Sequence, residues 1–298
     1  MKTILLAILF LATQQSLSAQ AEIPPGFLWQ VEINGSEFTL AGSIHAGKKE
    51  HYPVPKGYLK EYKKSDFIIF ELKDDFESIK EQIFAYAEKD KLEESQYLDN
   101  YLSEENKKTL AALFRGEEET LQRHYAYEGW LLNMSIMGMS PRLIGYEPKI
   151  AVDKYFHDLA IKDKKTIYGL DDIETQIGIF ELELPNEVQL KVLENGLKSI
   201  NMKAKSEQPL FDAYYSQDRD VFEKAFLTPM NFENPQVKAM YDRIFVARNK
   251  AWVQKLIELA NKEKGQYFML VGCGHYFGPE NVLELLKKEG FKPKEYKK

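Results

Sequence analysis

Two glycine–histidine motifs stand near opposite ends of the sequence, each after an apolar run. They are Gly42-x-x-His45 and Gly272-x-x-His275. Glu71 follows a third apolar run, so a carboxylate emerges where a buried strand would end. Two imidazoles and one carboxylate are a common ligand set for a catalytic divalent metal, which lowers the pKa of bound water and polarises a carbonyl. We therefore predict a metal site at His45, Glu71 and His275, although a single buried histidine can also be purely structural.

A predicted helix over residues 235–262 carries an arginine inside its apolar stripe. On a helical wheel Arg248 falls between Ile244 and Trp252. An unpaired buried charge is very costly, so this arginine needs a partner or a polar cavity, unless its side chain extends past Trp252 to solvent. We expect Arg248 to stabilise a developing oxyanion and Asn249 to orient the substrate.

Glycines accompany both histidine motifs. Gly42, Gly272, Gly274 and Gly278 are expected to permit sharp turns and close backbone approach.

Cys273 is the single cysteine of the chain, which excludes an internal disulfide. Its place in the second motif is compatible with a catalytic thiol, but a small buried residue that fills space is the favoured interpretation.

Three further histidines have a less distinctive setting. His124 and His157 stand in charged helical segments and are predicted to lie on the surface. His51 is close to the first motif, and a surface role is favoured for it over a ligand or substrate contact at the rim of the site.

The elements that position these residues alternate between strand and helix patterns. Residues 27–33 and 37–40 flank Asn34-Gly35, which predicts a β-hairpin. Buried strands are predicted at 67–72, 166–170 and 266–272, and helical periodicity dominates the middle of the chain. The sequence therefore predicts an α/β fold. Its mixed central sheet is built from both ends of the chain, with a large helical insertion over approximately residues 76–230.

Composition restricts the class of partner. The chain of 298 residues has a formal net charge of −6 and a pI near 5.6, which gives no general attraction to nucleic acid or to anionic membranes. Residues 1–21 read as a signal peptide, because a lysine precedes a short apolar segment and an Ala-x-Ala site. We expect an exported protein, periplasmic or secreted, with a single domain over residues 22–298 and no stable membrane insertion after signal cleavage.

Taken together and in order, these motifs resemble those of the TraB/GumN family, which includes the TIKI proteins. The similarity covers essentially the whole mature chain. The matching segments are Leu40-Ala-Gly42-Ser-Ile-His45, Phe70-Glu71-Leu72, Gly169-Leu170-Asp171 with Glu174 and Gln176, Arg248-Asn249, and Val271-Gly272 with Gly274, His275 and Gly278.

The resemblance implies a mixed α/β fold of the erythromycin esterase/ChaN-like type, with a site assembled from both ends of the chain. For the TIKI branch it implies cleavage of peptide bonds with manganese or cobalt. The family often has glutamate where this chain has Asp171. We therefore expect Glu174 and Gln176 to support the site or its packing and not to act as catalysts.

The leading hypothesis is an exported, divalent-metal-dependent peptidase. His45, Glu71 and His275 hold the metal, or Glu71 acts as general base instead, and Arg248 and Asn249 contact the substrate or the oxyanion. One alternative is a non-catalytic protein that binds a peptide or haem in an aromatic-lined cleft. Another is a metal-independent, esterase-like hydrolase that uses His45 as base, acting on a peptide or a small molecule.

Overall fold

The structure is a computed structural model that describes residues 26–181 and 184–297. Its centre is a sheet in which six strands lie in the order β4-β3-β5-β2-β1-β6. The strands are β1 (Leu28–Ile33), β2 (Ser36–Ser43), β3 (Phe67–Phe70), β4 (Thr166–Gly169), β5 (Gln266–Gly272) and β6 (Lys294–Glu295). The predicted signal peptide lies outside the described residues.

Four strands of this sheet are parallel and therefore end at one edge. β5 pairs in parallel with both β2 and β3, and β4 pairs in parallel with β3. β1 is antiparallel to β2 through a tight hairpin, in which Asn34 has φ 47° and Gly35 has φ 81°. Positive φ at both central residues is typical of the type I′ turn that an Asn-Gly pair favours. The predicted sheet, with strands from both ends of the chain, is confirmed.

Helices cover the sheet and form most of the middle of the chain. In chain order they are α1 (Lys56–Lys64), α2 (Phe76–Ala87), α3 (Glu104–Leu113), α4 (Glu118–Tyr125), α5 (Gly129–Met139), α6 (Val152–Lys162), α7 (Ile173–Gly178), α8 (Asn186–Tyr215), α9 (Arg219–Leu227), α10 (Pro235–Tyr241), α11 (Ala247–Lys262) and α12 (Val282–Lys288). Among the residues described, no helix is long and apolar enough to cross a membrane.

Helix α8 contains a proline in its interior. It runs without a break past Pro209 to Tyr215. Proline removes one backbone hydrogen bond from a helix. Buried side chains on both sides of the proline, among them Ala204 and Phe211, keep the helix packed and offset that loss.

The predicted helix over 235–262 is interrupted by a π-helical turn at Asp242–Val246. A π turn adds a residue to one helical turn, so the residues before it rotate relative to those after it. Met240, which a continuous helix would place in the apolar stripe, is 59% exposed, whereas Arg248 and Trp252 after the turn are buried. The π turn therefore directs α11 and its arginine at the sheet.

Candidate functional site

The residues predicted for the site meet at the edge where the parallel strands end. Gly272 is the last residue of β5, and a Cβ on it would lie 3.2 Å from Glu71 Oε1, 3.3 Å from His45 Nε2 and 3.7 Å from His275 Cδ2. A Cβ would crowd the first two of these groups, so glycine allows their closest approach. The structure therefore brings together His45, Glu71 and His275 around Gly272.

Arg248 lies at the centre of a buried ionic network. Its Nη2 donates to Glu71 Oε2, its Nε donates to Asp171 Oδ2 at 2.8 Å, and its Nη1 donates to the carbonyl of Ile244 at 3.0 Å. The arginine is only 6% exposed, so it does not extend to solvent. The expected buried partner is thus found, and it is a pair of carboxylates.

Gln176 joins the same network from α7. Its Nε2 donates to Asp171 Oδ2 at 2.8 Å and to Glu71 Oε2 at 3.3 Å. It supports the site, in agreement with the expectation for this residue, whereas Glu174 is exposed on the same helix. Burial disfavours the charged form of Glu71, but Arg248, His275, His45 and the Gly272 amide together outweigh burial and hold the pKa of this carboxyl well below its usual range.

His275 is held as a neutral imidazole. Its Nδ1 bonds to Asn249 Oδ1 at 2.6 Å, and its Nε2 faces Arg248 Nη1 at 3.2 Å. Since arginine can only donate, Nε2 must accept and Nδ1 must carry the proton. Burial, together with the Arg248 charge, lowers the pKa of His275 to about 3. Its ring packs on Trp252, with centroids 4.1 Å apart.

Asn249 is fully buried. Besides its bond to His275, its Nδ2 donates to the carbonyl of Glu280 at 3.0 Å. Both ends of its amide are thus used inside the protein. In the structure Asn249 therefore orients the ring of His275.

His45 is paired with the carboxylate of Asp153. Its Nδ1 lies 2.5 Å from Asp153 Oδ2, on the first turn of α6, and its side chain is 65% exposed. The surrounding protein atoms disfavour protonation. The Asp153 carboxylate, by charge and hydrogen bond, and the Glu71 carboxylate outweigh this effect and raise the pKa of His45 to about 9.

A cavity of about 300 Å³ opens in front of His45 and Glu71. We call it the reaction pocket. Its wall includes His45, Glu71, Phe76, Asp153, His157 and Gln176. An imidazole, carboxylates and apolar surface therefore face one concave space.

The other predicted glycines mark close contacts. A Cβ on Gly42 would lie 2.8 Å from Cys273 Sγ, and a Cβ on Gly274 would lie 3.0 Å from the rings of Phe226 and Phe245. Gly278 has φ 76°, in the left-handed region that favours glycine.

Cys273 is 2% exposed and packs against Gly42. Burial raises the pKa of its thiol well above the ordinary value. A thiolate is the reactive form of cysteine, so this residue fills space, as the favoured interpretation had it.

The surface prediction for His124 and His157 is wrong, because they are only 3% and 4% exposed. Their ring nitrogens find partners inside the protein: His124 Nδ1 bonds to the carbonyl of Thr120 at 2.7 Å, and His157 Nε2 to that of Lys73 at 3.0 Å. Neighbouring aromatic rings cover both. His51 is partly buried and stacks on Tyr215, with centroids 3.7 Å apart.

The burial of His124 predicts a pH-dependent stability. Burial lowers the pKa of His124 to about 4, so the unfolded chain binds a proton below pH 6.5 that the folded chain does not bind. We expect this residue to lower the free energy of unfolding by up to about 3 kcal/mol as the pH falls from 6.5 to 4. Urea unfolding of the wild type and His124→Gln at both pH values measures the difference. Equal pH slopes in the two proteins would contradict the assignment.

Two residues of the site were given no role by the sequence interpretation. Asp153 orients His45, and Asp171 binds both Arg248 and, at 2.6 Å, Trp252 Nε1. Asp171 comes two residues after β4, so the rule that parallel strands end at one edge could have found it. Nothing in the sequence indicates Asp153, which reaches the site from a helix of the insertion.

The donor atoms of the predicted metal site also have partners within the protein. Within residues 26–181 and 184–297, no group of three or more His, Cys, Asp or Glu side chains is arranged to hold a metal ion. His275 Nε2 and Glu71 Oε2 both accept from Arg248, and Glu71 Oε1 accepts from the Gly272 amide at 2.8 Å. A metal ligand needs a free lone pair, and the single lone pair of His275 Nε2 is used, so His275 can bind a metal only if the guanidinium moves away, whereas the Glu71 oxygens each keep a lone pair.

Known proteins resemble this chain over most of its length. It is 24% identical over 253 residues to "Uncharacterized protein YbaP" of Escherichia coli (strain K12), an alignment that covers 84% of this chain and 88% of that protein. It is 24% identical over 251 residues to the protein of the same description from Shigella flexneri, with 83% and 87% covered. No solved structure gives a significant match. The model of the TraB/PrgY/gumN family matches residues 27–295, and the chain therefore belongs to that family.

Proposed function

We propose that this protein is a metal-independent hydrolase whose general base is His45. The observation that carries the proposal is the orientation of this ring. Asp153 holds Nδ1, while Nε2 is directed at the space beside Gly272 and Glu71, inside the reaction pocket. A carboxylate on one imidazole nitrogen fixes the tautomer and leaves the other nitrogen to take a proton from water or from an attacking group.

The two carboxylates near His45 assist the same step. When Nε2 takes a proton the ring becomes an imidazolium, and Asp153 and Glu71 both stabilise that positive charge. Glu71 itself is a weak base, because Arg248 holds it ionised. Arg248 makes four hydrogen bonds to protein groups, so its main task is to fix Glu71, Asp171 and His275 in position.

A metal-dependent peptidase is the second candidate. It is favoured by the convergence of His45 Nε2, Glu71 Oε1 and the His275 ring on Gly272. His45, Glu71 and His275 would hold a divalent ion, manganese or cobalt by family resemblance, which would supply a Lewis acid. This candidate requires Arg248 to release His275 Nε2.

Metal content separates the two candidates. We expect the purified mature protein to carry no stoichiometric transition metal by mass spectrometry and to keep its activity after treatment with a chelator. Activity is assayed on a library of internally quenched peptides and on ester substrates. About one manganese or cobalt ion per chain, lost in both His45→Ala and His275→Ala, would overturn the metal-independent proposal. A wild type that cleaves nothing and shows a Soret shift with haem would favour a binding protein instead.

We also propose that the protein is exported. The support is the lysine, the short apolar segment and the Ala-x-Ala site within residues 1–21. N-terminal sequencing of the protein recovered from a periplasmic fraction should give a start near Gln20 or Glu22. Recovery of the intact chain in the cytoplasm would contradict the proposal.

A further inference from the structure

A second cavity, of about 320 Å³, lies beside the reaction pocket. We call it the lysine pocket. Its wall includes Lys49, Tyr52, Lys149, Lys154, Tyr155 and Asp158. Three ammonium groups face one carboxylate there, on a chain whose net charge is −6. The local charge therefore has the opposite sign to the charge of the whole protein.

The acidic residue of this pocket is already neutralised. Asp158 accepts from Lys154 Nζ through both carboxylate oxygens, at 3.0 and 2.8 Å. Lys49 and Lys149 have no carboxylate within ion-pair distance among the residues that the structure describes. Two cations thus remain available to a ligand, in a pocket that Tyr52 and Tyr155 also line.

The first turns of α6 separate the lysine pocket from the reaction pocket. Asp153 and His157 face the reaction pocket, whereas Lys154 and Asp158, each one residue further on, face the lysine pocket. Lys154 Nζ also lies 5.6 Å from the ring centre of Phe76, which lines the reaction pocket. One ligand can therefore lie across this turn of α6 and reach both cavities.

We infer that the substrate is a peptide with an anionic side chain, which binds Lys49 and Lys149 while the bond to be cleaved lies beside His45. This inference rests on the proposed function, since it names the substrate class of the same site. A helix is roughly 10 Å wide, and an extended peptide advances about 3.3 Å per residue. The anionic group therefore lies about three residues from the cleaved bond. A carboxylate and a phosphorylated side chain share the required chemistry.

Calorimetric titration of the full mature chain tests the anion site without an activity assay. The probes are blocked alanine heptapeptides with glutamate, glutamine or phosphoserine at the centre. We expect the two anionic peptides to bind about tenfold tighter than the glutamine peptide at low salt, and less so at high salt. The Lys49→Gln/Lys149→Gln protein should lose this preference. Lys198→Gln/Lys205→Gln, which removes two exposed charges on α8, should keep it. Preference for glutamate over phosphoserine, or the reverse, identifies the natural source of the anion.

Each outcome decides one of the two claims. Equal binding of the glutamine and glutamate peptides by the wild type, or a preference that survives in Lys49→Gln/Lys149→Gln, would overturn the anion site. Cleavage of library peptides that is lost in His45→Ala but shows no preference for acidic residues would leave the hydrolase and remove the anion site. Tight anionic binding without any cleavage would leave the anion site and remove the hydrolase.

Discussion

Replacing His45 by alanine is expected to lower kcat/KM by about 100- to 10,000-fold, because the general base of the reaction is lost. The protein should still fold, since this side chain is 65% exposed and its removal leaves no cavity in the core. His51→Ala is the matched control, because His51 is also close to the first motif but stacks on Tyr215. Full turnover by His45→Ala, or an equal loss in His51→Ala, would contradict the assignment of the base.

The pH dependence of the same reaction identifies the partner of His45. Because the pKa of His45 is raised to about 9, kcat/KM in the wild type should rise with pH until about 9, as the neutral base forms. The charged groups that face this ring are Asp153, Glu71 and Arg248. Asp153→Asn removes one stabilising charge, lowers the pKa of His45 and moves the rising limb to lower pH. If the rising limb of the pH profile stays at the same pH in Asp153→Asn, the group that titrates is not His45.

Arg248→Met is expected to destabilise the fold by about 3–5 kcal/mol, the second large effect. Removal of one partner from a buried ionic network leaves uncompensated charges, here those of Glu71 and Asp171. The loss should be smaller at low pH, where these two carboxyls become protonated in the variant. Chemical unfolding at pH 7 and at pH 4.5 measures both effects.

Arg243→Met serves as the control, because Arg243 lies on the π turn nearby and is exposed. It should change the free energy of unfolding by less than about 0.5 kcal/mol. Arg248→Lys should not restore stability, since an ammonium group cannot make the guanidinium's separate bonds to Glu71 and Asp171. A loss below about 1 kcal/mol in Arg248→Met would mean that the network contributes little to folding.

The sheet and the meeting of its strand ends could be predicted from the sequence. Apolar runs identify the buried strands, and parallel strands place the residues that follow them at one edge. This rule is enough to bring Glu71 close to His275 and His45. It gives no information about which side chains then bond to each other. The sequence indicated that Arg248 needs a buried partner, and only the structure shows that it bonds to Glu71 and to His275 Nε2, two of the groups predicted to hold a metal.

Residues contributed by the helical insertion were beyond the reach of the same reasoning. Asp153 lies on α6. The sequence pattern of a helix shows which of its faces is apolar, but not which other element that helix packs against. His124 and His157 were misplaced because charged neighbours in the sequence say little about a residue that faces inward. The π turn before Arg248 likewise has no local signal in the sequence. In each case tertiary packing decided the outcome.

The position of β5 in the sheet also determines when, during synthesis of the chain, the site can form. β5 comes from the last part of the chain, yet it lies between β2 and β3, which come from the first part. The early strands cannot complete their pairing until nearly all of the polypeptide has been synthesised, and such long-range pairing is slow. The site cannot form before that moment, because Gly272 and His275 arrive with β5. The site therefore stays unassembled until synthesis is nearly complete and for as long as the chain remains unfolded.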